Sequence, residues 1–272
     1  MDRRQADPVA VQRKIILVLL LVLAGAAWIV LVRQGVSAGM DGAINSPTMG
    51  LRAPLFLLIW NVMMAAMMFP TAAPMILTFH LVQAGKRGRG EAFVSTWVFV
   101  AAYMLVWTLA GVAAFAGARA AETIGQHAAL SPTTAARIGG AVLVAAGLYQ
   151  LTPMKDICLS KCRTPITFIM TAWRDGAIGA LRMGVLHGAY CLGCCWLLFV
   201  ILFPLGIMNI AAMAAVTLLA FAEKTLPWGR PPARVAAGAL VVYGAVVIVA
   251  PWALPTFTGH ASMGMQAQTG GE

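Results

Sequence analysis

The sequence predicts an all-α fold, a polytopic bundle of about seven transmembrane helices that forms a single membrane domain over residues 1–272. Three observations predict it. Of the 272 residues, 61% are apolar and only 10% charged, with mean hydropathy +0.84, whereas a globular domain carries about 25% charged residues. Such a chain cannot hide its apolar surface from water. Several uncharged runs approach the roughly 20 residues that cross a bilayer core; with no water there to satisfy backbone groups, these runs have to be helices. The third observation is where the basic residues fall between the runs.

The first run, residues 15–32, follows Arg3, Arg4, Arg13 and Lys14. A basic start also fits a signal peptide cleaved near Ala38, but the run is longer than a usual signal core and is read as a span. The second span, 55–82, contains Pro70 and Pro74, which free carbonyls and favour a kink. The third is 93–118, and the fourth, 138–151, is short. Between 155 and 182, Ile166, Phe168, Ile169, Met170 and Trp173 alternate with basic residues, the pattern of a segment lying along a membrane surface. Residues 183–222 hold no charge over 40 positions, too long for one crossing. Pro204, Leu205 and Gly206 supply a turn that divides them into spans 183–203 and 207–222. The seventh span is 235–254, and the polar, Gly-rich tail 255–272 reads as disordered and external. His260, Met263 and Met265 in that tail are candidates for capturing metal outside.

Lys and Arg collect in short cytoplasmic loops, and an N-terminus inside puts fifteen of the nineteen basic residues on that side. The outer segments keep only Arg33, Arg52, Arg119 and Arg137. The layout implies a bacterial cytoplasmic membrane, with the N-terminus cytoplasmic and the C-terminus external. The formal net charge of +10 is thereby explained by topology, with the lipid bilayer as partner and no role for nucleic acid.

Five cysteines, an odd number confined to residues 158–195, are no secreted disulfide framework. In the fifth span, Met183, His187, Cys191, Cys194 and Cys195 fall at about 0°, 40°, 80°, 20° and 120° around a helix, on one face. In the second span, Met64 and Met68 line one side, with Met68 at a depth similar to Cys194 and Cys195. A methionine run alone is as well explained by flexible core packing. Cys158 and Cys162 stand at i and i+4, and their neighbours Lys155, Lys161 and Arg163 would favour thiolate. Thiolate, thioether and imidazole suit soft ions, Cu(I) first and Zn(II) second, whereas Mg(II) or Ca(II) needs oxygen ligands.

The remaining chemistry is sparse. No carboxylate sits at mid-span to relay protons, since Glu223 falls at the inner edge of the sixth span. There is no phosphate-binding GxxxxGK[ST] loop, and no residue set marks a catalytic site.

The motifs at 60–70, 148–165, 173–196 and 223–229, above all the string Cys-Leu-Gly-Cys-Cys-Trp at 191–196, resemble a bacterial family of predicted metal-binding integral membrane proteins, sometimes labelled copper chaperones. The likeness covers roughly residue 54 to the seventh span. The resemblance implies metal handling and brings no established ligands.

The expected function is binding of a soft metal ion, most readily Cu(I), for handling, delivery or transport, with a soluble metal chaperone or metalloprotein as partner. Cys191, Cys194 and Cys195 are the expected primary ligands, His187, Met64 and Met68 auxiliary ones, and Cys158 and Cys162 an inner delivery point. A thiol redox protein using the Cys191-x-x-Cys194 pair and a structural or assembly protein are the alternatives.

Overall fold

The computed structural model describes residues 8–41, 47–226 and 231–256, and among these there is no strand. The chain forms α1 (Pro8–Asp41), α2 (Ala53–Gly88), α3 (Thr96–His127), α4 (Pro132–Tyr149), α5 (Pro153–Arg163), α6 (Pro165–Ala172), α7 (Gly176–Val200), α8 (Leu202–Leu205), α9 (Ile210–Thr225) and α10 (Pro231–Val249), followed by a 3₁₀ turn, Pro251–Ala253. The tail residues His260, Met263 and Met265 and the side chain of Ala38 lie outside the described set.

All seven sequence-predicted runs coincide with a helix. Five stretches are long and apolar enough to cross a membrane unaided: Pro8–Val36, Ala53–Gly88, Thr96–His127, Gly176–Leu205 and Pro231–Val249. The fourth run differs: α4 qualifies only together with α5, from which it is bent by 63°. The sixth, α9, has 16 residues and rises about 24 Å, less than the roughly 30 Å of a bilayer core. Its length is set at both ends, by the Asn209 side chain capping Ala212 N–H at 3.1 Å and by Leu226, whose extended backbone ends it after Thr225.

Burial ranks the helices. In α2 61% of the most apolar window is enclosed by the rest of the chain, against 22% in α1 and in α10, so α2 is central and the other two are peripheral. Exposed Val22, Val235, Val242 and Val249 give those peripheral helices an apolar outer face.

Small residues set the helix contacts, as expected where apolar surroundings give no extra drive to association. A Cβ at Gly184 of α7 would lie 2.5 Å from the Phe99 carbonyl oxygen of α3, and one at Gly188 2.9 Å from Val106. Bringing α7 this close to α3 is what lets side chains of the two helices meet. Pro70 does not break α2, which runs unbroken through it and Pro74. The carbonyl left without its usual donor, that of Ala66, accepts from the Trp28 indole of α1 at 3.2 Å, so the missing bond is replaced from a neighbour. The predicted break is present but shifted: Pro204 and Leu205 lie in the short helix α8, and the turn begins at Gly206, whose φ of +93° favours glycine and whose carbonyl accepts from Asn209 N–H at 2.9 Å.

The segment 155–182 departs from a simple surface helix. Its second part does have a two-faced character, with Phe168 and Ile169 of α6 buried and Ile166 and Met170 exposed. Its first part, α5, folds back into the bundle, burying Lys155, Leu159 and Cys162 against α7 and α9. The reason is a set of specific partners. Tyr149 O–H donates to the Gly193 carbonyl of α7, the Lys155 ammonium meets Glu223 of α9 at 2.8 Å, and Arg163 donates to the Leu226 carbonyl at 2.7 Å.

Candidate metal centre

The side chains that meet at the centre come from five helices. The predicted stripe on α7 is real: Met183, His187, Cys191, Cys194 and Cys195 are each at most 2% exposed. A face of that helix this rich in sulfur stays buried because α2, α3, α5 and α9 cover it. Cys194 and Cys195 bring their sulfurs to 3.2 Å, and the Cys194 thiol donates to the Cys191 carbonyl at 3.1 Å. Cys162 of α5 is buried on the side of that helix that packs against α7, near enough to the Cys191 and Cys194 thiols to interact with them electrostatically. From α2, the Met68 thioether sulfur is 4.0 Å from the Cys191 sulfur, and from α3 the Tyr103 hydroxyl is 3.1 Å from it.

One cation completes the group. Lys224, in the last turn of α9, is 8% exposed and points its ammonium at the Cys191 sulfur, 3.1 Å away, and at the Thr71 hydroxyl, 3.3 Å away. The Met68 sulfur is 3.9 Å from the same nitrogen. A buried ammonium is costly unless it is paired and hydrogen-bonded. The adjacent carboxylate, Glu223, is engaged with Lys155, so Lys224 finds its partners in sulfur and hydroxyl groups.

Several expectations about individual residues are revised by this geometry. Cys162 is buried where α5 packs against α7, beside the thiols of that helix. Cys158, on the same face of α5, packs against the α7 backbone: a Cβ added at Gly193 would come within 2.7 Å of its sulfur. The basic neighbours expected to favour thiolate at these two cysteines are engaged elsewhere. Lys155 pairs with Glu223, Arg163 caps α9, and Lys161 lines a cavity of about 440 Å³ bounded by α6 and α7. Met64 is fully buried, yet the thioether that touches Cys191 is that of Met68.

His187 is held by rings and not by hydrogen bonds. Its centroid lies 5.5 Å from Tyr103, 5.7 Å from Phe168 and 5.9 Å from Phe99, and both of its ring nitrogens lack a hydrogen-bond partner among the described residues. Unpartnered buried nitrogens call for a ligand or a water. It stands one turn before Cys191 on the same face of α7.

Sequence reasoning missed Tyr103, Thr71 and Lys224 as site residues, and it gave Lys155 a different role, as a charge beside Cys158 and Cys162. Both lysines count among the basic residues expected on the cytoplasmic side, and the structure adds that their side chains are buried and partnered. Their available signal was position: Lys224 directly follows Glu223 at the end of an uncharged span, where a burial-prone acid–base pair is improbable unless each finds a partner.

The donor set fits a soft cation. Thiols and a thioether in a water-poor pocket prefer Cu(I)-like ions over hard oxygen-seeking ones. Among the described residues, no group of three or more His, Cys, Asp or Glu side chains forms a ready-made cage; the sulfurs contact each other and Lys224 instead.

No curated protein matches the chain, and neither does any solved structure. A family model does: the one described as copper chaperone (PpoB2) matches residues 57–247. That interval holds the Met68 face of α2, all five cysteines and Lys224, which is to say every residue of the site just described. The match covers well over half of the 272 residues, and the chain belongs to this copper chaperone family.

Proposed function

We propose that this protein is an integral membrane copper handler that binds Cu(I) in the pocket between α2, α5, α7 and α9, with Cys162, Cys191, Cys194 and Cys195 as the ligand pool. Met68 acts as an auxiliary thioether and His187 as a reserve ligand one turn away. Membership of a family described as copper chaperones supports copper as the metal. The observation that favours this pocket is the buried Cys194–Cys195 sulfur pair at 3.2 Å beside Cys191, whose own sulfur is 4.0 Å from the Met68 thioether. Soft sulfur ligands favour the monovalent ion, with Zn(II) as the competitor to exclude.

The same proposal includes the membrane setting. Seven crossings place the N-terminus in the cytoplasm of a bacterium and the C-terminus outside, in accord with the fifteen-to-four division of basic residues and the rule that these favour the inner side. The short α9 crosses with the help of the turn before it. A soluble metal carrier or an acceptor metalloprotein exchanges copper with the pocket.

Metal analysis and an anaerobic Cu(I) titration of the detergent-purified protein test the assignment. We expect one tightly held Cu(I) per chain, resistant to a moderate chelator. A protein that retains no copper against that chelator contradicts it.

A further inference from the structure

We propose that Lys224 sets the metal selectivity of the pocket, favouring a monovalent over a divalent soft ion, and that it does so as a fixed positive charge and not as a ligand. The inference rests on the copper-binding reading above and deepens it.

Four observations carry it. The ammonium is buried and lies 3.1 Å from the Cys191 sulfur. Among the described residues no carboxylate forms an ion pair with it, because the adjacent Glu223 is taken by Lys155 at 2.8 Å, both side chains being 1% exposed. Its other neighbours, the Thr71 hydroxyl and the Met68 sulfur, carry no charge. It is anchored from two helices at once, α2 through Thr71 and α7 through Cys191, so it is not free to swing out when the pocket is occupied.

Selectivity follows from charge. A metal bonded to the Cys191 sulfur at about 2.3 Å lies no further than roughly 5.4 Å from the Lys224 nitrogen, given the 3.1 Å sulfur–nitrogen contact. At that range in a pocket without bulk water, the repulsion between an ammonium and a dication is twice that for a monocation. Comparing the same two metals in proteins that differ only at residue 224 isolates this term, since the thiols are then unchanged. Softness alone admits Cu(I), Zn(II) and related ions; the lysine adds a discrimination that the sulfur ligands do not provide. The neutral ion pair Lys155–Glu223 leaves this balance unchanged.

The test compares the wild-type protein with Lys224→Met and Lys224→Arg in detergent without oxygen. Affinities for Cu(I) and Zn(II) are each measured against a competing chelator, and the readout is their ratio. Removal of the charge in Lys224→Met should move the ratio toward Zn(II) by about tenfold to a hundredfold, whereas Lys224→Arg should keep it within about threefold of wild type. Size-exclusion profiles and thermal unfolding establish that each variant is folded. If the Met variant is not, Lys224→Gln, which can still bond Thr71, takes its place. A wild-type protein that binds Cu(I) at the thiols with an unaltered ratio in the neutral variant overturns the selectivity role while leaving the copper site standing. A wild-type protein that binds no Cu(I) there overturns both.

Discussion

Lys155 and Glu223, 68 positions apart in the chain, form an ion pair of 2.8 Å in which both side chains are 1% exposed. The pair pins α5 to the end of α9. It therefore fixes the position of Cys162, two turns along α5 from Lys155, as well as that of Lys224, the residue after Glu223. Breaking a buried pair by removing one partner typically costs about 3–5 kcal/mol, because the remaining charge is stranded. We predict that Glu223→Gln lowers thermal stability strongly and makes Cys162 react faster with a maleimide, since α5 is no longer held. The double variant Lys155→Met, Glu223→Leu should recover stability, because a well-packed apolar pair replaces the ions. Unchanged labelling of Cys162 in Glu223→Gln would show that the pair does not hold α5.

The close approach of α7 to α3 should matter as much as any polar contact. Gly184→Leu places a side chain where a Cβ alone would already meet the Phe99 carbonyl at 2.5 Å. The helices must separate, and the Tyr103 hydroxyl must leave the Cys191 sulfur. Overpacking of this kind costs about 1–3 kcal/mol or more. The expected result is a lower unfolding temperature and weaker Cu(I) retention; a variant with wild-type values of both would mean that the contact is not required.

Outside the bundle core, Asp175 before α7 accepts hydrogen bonds from Lys86 at the end of α2 and from the Trp173 indole. The Lys86 bond, and after it the Trp173 bond, hold its carboxyl below the usual carboxylate range. A carboxyl depressed in the folded state contributes stability above its unfolded pKa of about 3.9 and loses it as pH falls through the lower folded value. Asp175 is fully exposed, so the effect is small. Thermal scans between pH 6 and pH 3 should show a shallower acid loss in Asp175→Asn than in wild type, and parallel curves would remove the contact from the account.

Topology is open to direct measurement. Reporter fusions at Lys86 and Lys161 should read cytoplasmic, and fusions at Ala43 and after Gly259 external. A cytoplasmic C-terminus would overturn seven crossings, and the short α9 is the helix whose crossing it would revoke.

Much of this arrangement was legible in the sequence, for identifiable reasons. Helical periodicity placed His187 and three cysteines on one face of α7, and the burial of all four bears that out. The depth argument that matched Met68 to the thiols is answered by the 4.0 Å contact with Cys191. The turn at Gly206 followed from residue type. What periodicity does not report is which loop folds inward. Residues 155–163 read as a basic surface segment because their charges were counted as solvated, whereas Lys155 is neutralised by a glutamate 68 positions away. The partners of Lys224 were hidden for the same reason, since the positive-inside rule counts charges without asking what they touch. Tyr103 and Thr71 carry no pattern at all; they enter the site only because α2 and α3 pack beside α7.

The central claim is that Cu(I) is held by the thiols of α7, and a thiol redox site built on Cys191 and Cys194 is its rival. A metal site loses affinity when any of its soft thiolates is replaced by a hydroxyl; a redox site depends on one pair and tolerates loss of the third cysteine. The deciding measurement is an anaerobic Cu(I) competition titration of wild type, the three single Ser variants at Cys191, Cys194 and Cys195, and the triple Ser variant, with thiol trapping run in parallel. The account predicts that each single change weakens Cu(I) binding by about tenfold or more and that the triple change abolishes it. Equal Cu(I) binding by wild type and the triple variant would contradict it, and so would a Cys191–Cys194 disulfide in a protein without metal.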